Sequence, residues 1–346
     1  MRTEQRLVTR ARLTPETAKI RNAVSDSLAA AGVVPGDLVL VACSGGQDSL
    51  ALAIAAAFVG KRDGIQIGAV VVDHQLQTNS AEVARRAALT CERIGLNPVV
   101  VKRATVKVQG EGIEAAARTA RYLEIETARV ELNAKFVLLG HTLDDQAETV
   151  LLGLSRGSGI HSISGMNAHS GSLLRPLLHL SRRETAAVCE SAGIEYWDDP
   201  HNFDPSFTRV RIRKNVIPIL ERELGTGFAE ALARTAELAR EDDSELIRQA
   251  EHAFSKFAST QSTQLIRLPV ADISSLPRAV AKRVVQIALR QLDSVATYVH
   301  LNSVLALIEN WHGQQALDLP GVKVERAGDE LILRTSKRQP SSRDEA

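Results

Sequence analysis

Residues 39–53 read VLVACSGGQDSLALA, an apolar block that passes through two adjacent glycines into Asp48 and Ser49 and returns to small apolar residues. Glycines let the backbone approach a ligand closely. A helix starting just after them turns free N–H groups and the positive end of its dipole the same way, so the turn Ser44, Gly45, Gly46, Gln47, Asp48, Ser49 is expected to take an anion. A Walker-type loop would add a lysine for the terminal phosphates. Here an Asp occupies that region and would repel phosphate unless a cation intervened. Asp48 therefore points to Mg²⁺ alongside a polyphosphate. The plainer reading is a tight turn with Asp or Ser capping a helix, and the apolar strand-like run directly before it weighs against that reading.

Other residue clusters could join this chemistry. HTLDDQAET places His141 in a turn at a strand end and Asp144, Asp145 and Glu148 at a helix start, with Asp144 and Glu148, four apart, on one face. The three carboxylates suit Mg²⁺, and Asp145 is the preferred metal or acid–base residue after Asp48; the competing role is to complement the helix dipole. VVDH ends another apolar run, so Asp73 and His74 face the same crevice, where a nucleoside is expected. In GIEAAARTARY, Glu114, Arg118 and Arg121 recur at helical spacing, as a surface ion pair or, the favoured reading, with Arg118 or Arg121 on phosphate. TRVRIRK concentrates four cations in six residues, and Arg209, Arg211 and Arg213 share a side if extended but are spread by a helix.

The elements that must position these residues follow from periodicity. After an entry helix capped by Thr14-Pro15 come DLVLVAC, IQIGAVVVD, NPVVVKR and KFVLLGH as strands, alternating with amphipathic helices. Continuous aliphatic runs of this kind belong to strands covered on both faces, so the expected fold is a doubly wound parallel α/β sheet. Ligands of such sheets bind beyond the carboxyl ends of the strands, where the glycine turn lies. RGSGIHSISGMNAHSGSLL reads as a functional loop, and SRRETAAVCESAG followed by IEYW as one more helix–strand unit. From about Ser206 the alternation stops and the chain becomes helical, with strand-like pieces only after Gln315. The expected division is an entry helix over 1–36, a doubly wound α/β domain over 37–215, a smaller, mainly helical domain over 216–336 and a disordered tail over 337–346.

Composition narrows the class. Aromatic residues make up 3% of the chain, so contact with nucleic acid must rest on cations rather than on stacked rings, and a net charge of +1 confines those cations to local patches. Three dispersed cysteines without a C-x-x-C pair indicate neither a disulfide framework nor a zinc ribbon, and no long apolar segment occurs. A soluble cytoplasmic protein is expected.

The string SGGQDS matches the S-G-G-x-D-S loop of the N-type ATP pyrophosphatase (PP-loop) superfamily, which cleaves ATP between the α and β phosphates and adenylates an oxygen. Together with VVDHQLQTNS, EGIEAAARTARY, LGHTLDDQAETVLLGLSRGSG, LLRPLL and DDPHNFDPSFTRVRIRKNVIP, it resembles the tRNA(Ile)-lysidine synthetase family over about residues 37–220. The resemblance implies an adenine nucleotide alpha hydrolase-like fold and a two-step reaction. ATP adenylates O2 of the wobble cytidine in an isoleucine tRNA with a CAU anticodon, and the amine of free lysine then displaces AMP. It also implies that Asp48 and Asp145 hold Mg²⁺, that Asp144 and Glu148 meet lysine, that the loop with Asp73, His74 and His141 binds ATP, and that Arg118, Arg121, Arg209 and Arg213 meet ATP or RNA phosphates. Oligomeric state stays open, a homodimer among the options. The alternative is a tRNA thiolase of the same superfamily, which needs reactive cysteines. Cys43 falls in a strand and Cys91 and Cys189 in amphipathic helices, where a small buried role fits better.

Overall fold

The computed structural model describes residues 13–73, 75, 79–106, 113–157 and 159–336. They form two compact units, Met1–Gly157 with Ser162–Glu237, and Ser158–His161 with Leu238–Ala346.

In the first unit, α1 (Pro15–Ala30) starts at Thr14, whose hydroxyl accepts the Thr17 amide. The chain then alternates through β1 (Leu38–Ala42), α2 (Gln47–Asp63), β2 (Gln66–Asp73), α3 (Ser80–Ile94), β3 (Val99–Arg103), α4 (Ile113–Glu131), β4 (Phe136–Leu139) and α5 (Leu143–Arg156). Next come α6 (Ile160–Ile163), the hairpin β5 (His169–Ser170) and β6 (Leu173–Leu174), and α7 (Arg182–Ser191). The sheet order is β3-β2-β1-β4-β6-β5, with β5 antiparallel to β6 and every other pairing parallel. This is the doubly wound α/β sheet expected from the aliphatic runs. Alternation along the strands sends side chains to opposite covered faces: Val39 and Val41 pack with α1, α2 and α3, while Leu40, Val70 and Val137 pack with Ile125 and Ala128 of α4.

Two segments differ from the sequence reading. IEYW forms no strand; it runs beside the glycine turn, where the Trp197 amide donates to the Gly45 carbonyl at 3.0 Å. The expected Gly/Ser loop is partly ordered as α6 and the β5–β6 hairpin. A Cβ at Gly153 would sit 1.9 Å from the Ser162 carbonyl oxygen, so only glycine lets α6 lie on α5. After a 3₁₀ turn at Pro200–Phe203, the unit continues through α8 (Thr208–Arg211), a π-helical turn at Ile212–Val216, α9 (Ile217–Leu224) and the first part of α10 (Phe228–Phe257).

The second unit contains α11 (Val270–Ser274), α12 (Arg278–Gln291) and α13 (Tyr298–Glu309). It also carries a five-stranded antiparallel sheet, more strand than the sequence suggested, in the order β7 (Ser259–Ser262), β8 (Leu265–Pro269), β11 (Glu330–Thr335), β10 (Val322–Ala327), β9 (Leu317–Leu319). β7 and β8 precede Gln315, in a stretch the sequence reading took as helical; Ile266 and Leu268 of β8 enter the core. Among the described residues no helix is long and apolar enough to cross a membrane.

Candidate functional site

The glycine turn is a closed loop on an open helix end. Gly45 adopts φ +80°, and a Cβ there would meet the Ala87 Cβ at 3.1 Å, so an L side chain is excluded by both conformation and space. Gly46 is the N-cap of α2, and no side chain caps that end. The loop is fastened from within by Ser49, whose buried hydroxyl accepts the Ser44 amide at 3.2 Å and donates to the Gly46 carbonyl at 2.9 Å. A Cβ on Gly140 would stand 3.1 Å from the Asp48 carbonyl, so this glycine draws the end of β4 against the start of α2. That approach carries His141 to Glu148 to the loop.

Asp48 faces the first turn of α7. Its Oδ1 accepts the Thr185 hydroxyl at 2.6 Å and its Oδ2 lies 3.2 Å from Arg182 Nη2. Gln47 Nε2 donates to Thr185 Oγ1 at 2.8 Å and to the Arg182 carbonyl. Burial pushes the Asp48 carboxyl above the ordinary range despite the opposing pull of Arg182 and Thr185. The α7 end is fully closed: Ser181 and Glu184 form a capping box, and the Arg182 amide donates to Asp144 Oδ2 at 2.9 Å. Asp144 thus ties α5 to α7.

At the α5 end, Asp145 Oδ2 accepts the Thr142 amide at 2.9 Å and the Thr142 hydroxyl at 3.2 Å. Burial alone would raise this carboxyl, but the Thr142 amide, His141 and Arg213 together hold it below its ordinary value. Arg213 bridges two carboxylates, with Nη2 3.2 Å from Asp145 Oδ1 and Nε 2.5 Å from Glu148 Oε1. Glu148 is fully buried, which pushes its carboxyl up. Its Oε2 has no hydrogen-bond partner among the described residues, and Arg209 Nη1 stands 3.8 Å away. TRVRIRK is helical rather than extended. Arg209 and Arg213, one turn apart, therefore face α5 together, while Arg211 turns away to donate to the Pro205 and Ser206 carbonyls.

His141 is held to about 3 by burial, with Arg175, Arg118 and Arg121 adding to the effect against Asp145, so the imidazole is neutral at ordinary pH. Its Nδ1 is buried without a hydrogen-bond partner among the described residues. Arg118 and Arg121 lie 5.0 and 5.6 Å from the Tyr122 ring centroid, and Arg118 Nη2 donates to the Tyr122 hydroxyl at 3.1 Å. Burial lowers Arg121, and neighbouring Arg118 and Arg209 add to the shift, which places one cation-rich wall beside the carboxylates. Asp73 is buried at the end of β2 and accepts the Gln75 amide at 3.0 Å, while His74 and the side chain of Glu114 lie outside the described residues.

Sequence reading missed Arg182, Thr185, Arg175 and Gly140. The first two were visible only as S-R-R-E-T, a capping-box pattern, and Arg175 sits within LLRPLL. For a divalent cation the donor chemistry fits: Asp48 and Asp145 are close enough for Asp145 to raise Asp48, and Mg²⁺ commonly takes one or two carboxylates and completes its shell with phosphate and water. No cluster of three or more His, Cys, Asp or Glu residues able to hold a metal occurs among the described residues, so protein ligands alone would not complete that shell.

The PP-loop domain family matches residues 16–220, and the TilS substrate binding domain family matches residues 268–332. The chain is 50% identical over 295 residues to the tRNA(Ile)-lysidine synthase of Leifsonia xyli subsp. xyli, covering 85% of this chain and 89% of that one. It is 44% identical over 322 residues to the tRNA(Ile)-lysidine synthase of Thermobifida fusca, covering 92% and 97%. Among solved structures, the U34-tRNA thiolase NcsA from Methanococcus maripaludis with its [4Fe-4S] cluster superposes with a TM-score of 0.56 at 17% identity, covering 65% of this chain and 80% of that one, a likeness of fold alone.

Proposed function

The chain belongs to the tRNA(Ile)-lysidine synthase family of PP-loop proteins, and from that premise we propose that it uses ATP to join free lysine to C2 of the wobble cytidine in an isoleucine tRNA with a CAU anticodon. The products are lysidine, AMP and pyrophosphate. The observation that carries the reading is the meeting of an uncapped, glycine-built helix end with a buried carboxylate–arginine cluster.

The phosphates of ATP are received by the backbone N–H groups at the start of α2, where the glycine N-cap supplies no capping side chain, while the Ser44 and Gly46 amides are held by the Ser49 and Ser44 hydroxyls. Asp48 and Asp145 would hold Mg²⁺, which supplies Lewis-acid neutralisation of charge on the phosphates. Arg118, Arg121, Arg209 and Arg213 form the cationic wall for phosphate, whether of ATP or RNA. Asp73 ends β2 beside the turn and suits the nucleoside. A wobble base lies in a single-stranded loop, so its Watson–Crick edge enters such a pocket without opening a duplex.

Lysine must attack as a neutral amine, which requires an acceptor for its proton. Among the candidate carboxylates, Asp144 is engaged by the Arg182 amide, whereas Glu148 keeps an oxygen free of hydrogen bonds and is held above its ordinary range by burial. Glu148, with Asp145 across Arg213, is therefore the better receiver of the ammonium, and Asp144 supports it through α7. The second unit, which contains the residues matched by the TilS substrate binding domain, is the part assigned to tRNA. A cytoplasmic location follows from such a substrate.

The thiolase reading has only the fold in common. All three cysteines are buried; burial pushes Cys189 up to about 12, and Cys91 is pushed up by the neighbouring Cys43 thiol. Neither Cys91 nor Cys189 is a ready thiolate. The test is incubation with ATP, Mg²⁺, labelled lysine and a CAU isoleucine tRNA transcript. Lysine incorporation is expected, and its absence while the protein binds ATP would overturn the proposal.

A further inference from the structure

The first turn of α7 reaches into the site at one atom group, the Asp48 carboxylate. Thr185 is fully buried, and its hydroxyl accepts from Gln47 Nε2 at 2.8 Å while its single proton has two acceptors in reach, Asp48 Oδ1 at 2.6 Å and the Arg182 carbonyl at 2.9 Å, of which the carboxylate is the nearer and the charged one. The opposite edge of the same carboxylate, Oδ2, carries the Arg182 guanidinium at 3.2 Å. Arg182 in turn cannot drift with its helix, since its own amide is fixed to Asp144 and its carbonyl to Gln47. A residue of α7 therefore grips each oxygen of Asp48, and the helix itself is pinned to both α2 and α5.

We infer that Thr185 and Arg182 are positioning residues for Asp48: Thr185 fixes the carboxylate plane, and Arg182 is a built-in counter-ion that holds Oδ2 until a divalent cation takes that edge. The inference rests on the ATP-cleaving reading above. An arginine and a divalent cation cannot both approach one carboxylate oxygen closely without mutual repulsion, so binding of the cation moves the guanidinium off Oδ2. The side chain of Arg182 is 29% exposed, so it has room to turn towards the solvent-facing mouth of the site, where phosphate charge would receive it. Thr185 has no such freedom and keeps its hold on Oδ1 throughout. The arrangement keeps a buried carboxylate compensated in the empty protein, where an unpaired charge would be costly.

The experiment has two arms on the full-length protein. In the first, Mn²⁺ alone is titrated and followed by electron paramagnetic resonance. Arg182→Gln is expected to bind Mn²⁺ at least threefold more tightly than the parent because the competitor is gone; equal or weaker binding overturns the counter-ion role. In the second, pyrophosphate release is measured with ATP and tRNA. Thr185→Val is expected to lower kcat about tenfold with the KM for ATP within twofold, and Thr185→Ser to restore most of the loss. Equal losses in Val and Ser variants, or a loss confined to KM, overturn the positioning role. Failure of the parent protein to release pyrophosphate would count instead against the ATP-cleaving reading itself.

Discussion

Two kinds of helix end meet at this site, and they are built oppositely. The α2 end has glycine at its N-cap and no capping side chain, whereas the α5 and α7 ends are closed by Asp145 with Thr142 and by Ser181 with Glu184. A glycine N-cap costs only a few tenths of a kcal/mol relative to a side-chain cap, so the α2 end can stay open to an external group at little loss of helix stability. Closing the other two serves a different end: the caps aim carboxylates. Asp145 is fixed by the cap it makes, and Asp144 and Asp48 are fixed by contact with α7. In the function proposed above, the open end receives charge and the closed ends hold the groups that act on it.

Removing the acid nearest the open end should have the largest effect. Asp48→Ala is expected to slow pyrophosphate release by roughly 10²–10³, the scale of losing one preorganised electrostatic contact, with the circular dichroism spectrum retained. Turnover near the parent value would show that the open end works without its carboxylate.

The closed α5 end should show itself in acid. His141, next to the Thr142 cap, is held at about 3 against 6.5, so between those values the unfolded chain takes up a proton that the folded protein refuses. This contribution is complete above pH 6.5 and is lost as pH falls towards 3, by up to about 1.4 kcal/mol per pH unit. Urea unfolding at pH 7 and pH 4.5 should therefore show a shallower decline in His141→Gln than in the parent, and parallel declines would contradict the assignment.

A direct exchange of the two designs comes next. Gly46 has φ −81°, and a Cβ there meets nothing closer than 3.5 Å, so serine fits and can cap α2. Gly46→Ser is expected to stabilise the protein by a few tenths of a kcal/mol. It should also raise the KM for ATP roughly tenfold, the scale of one lost hydrogen bond to a charged group. A variant that is both steadier and unimpaired would break the comparison. The last is the converse change: Thr142→Val, which removes the hydroxyl from the α5 capping box but leaves the Thr142 amide on Asp145, should cost about 1 kcal/mol in chemical denaturation.

Much of this was legible in the chain. Aliphatic runs such as VLVA and AVVV announced strands covered on both faces, and SGGQDS and HTLDDQAET announced the two ends that meet. IEYW was misread because an apolar quartet satisfies a strand pattern, while its actual role is set by a backbone bond to Gly45 across more than 150 residues. TRVRIRK allowed two geometries, and packing against α5 selected the helical one that pairs Arg209 with Arg213.

The sequence by itself determined the order of elements, the loop that must contain glycine and the inventory of charged groups, because these depend on local periodicity and on residue chemistry. The tertiary structure alone decided which carboxylate faces which cation: that Asp144 serves α7, that Asp145 and Glu148 share Arg213, and that Asp48 is gripped by Thr185 and Arg182. Hydrogen bonds and ion pairs between residues 38 to 137 positions apart reflect burial and the crossing of helices, which no local pattern records.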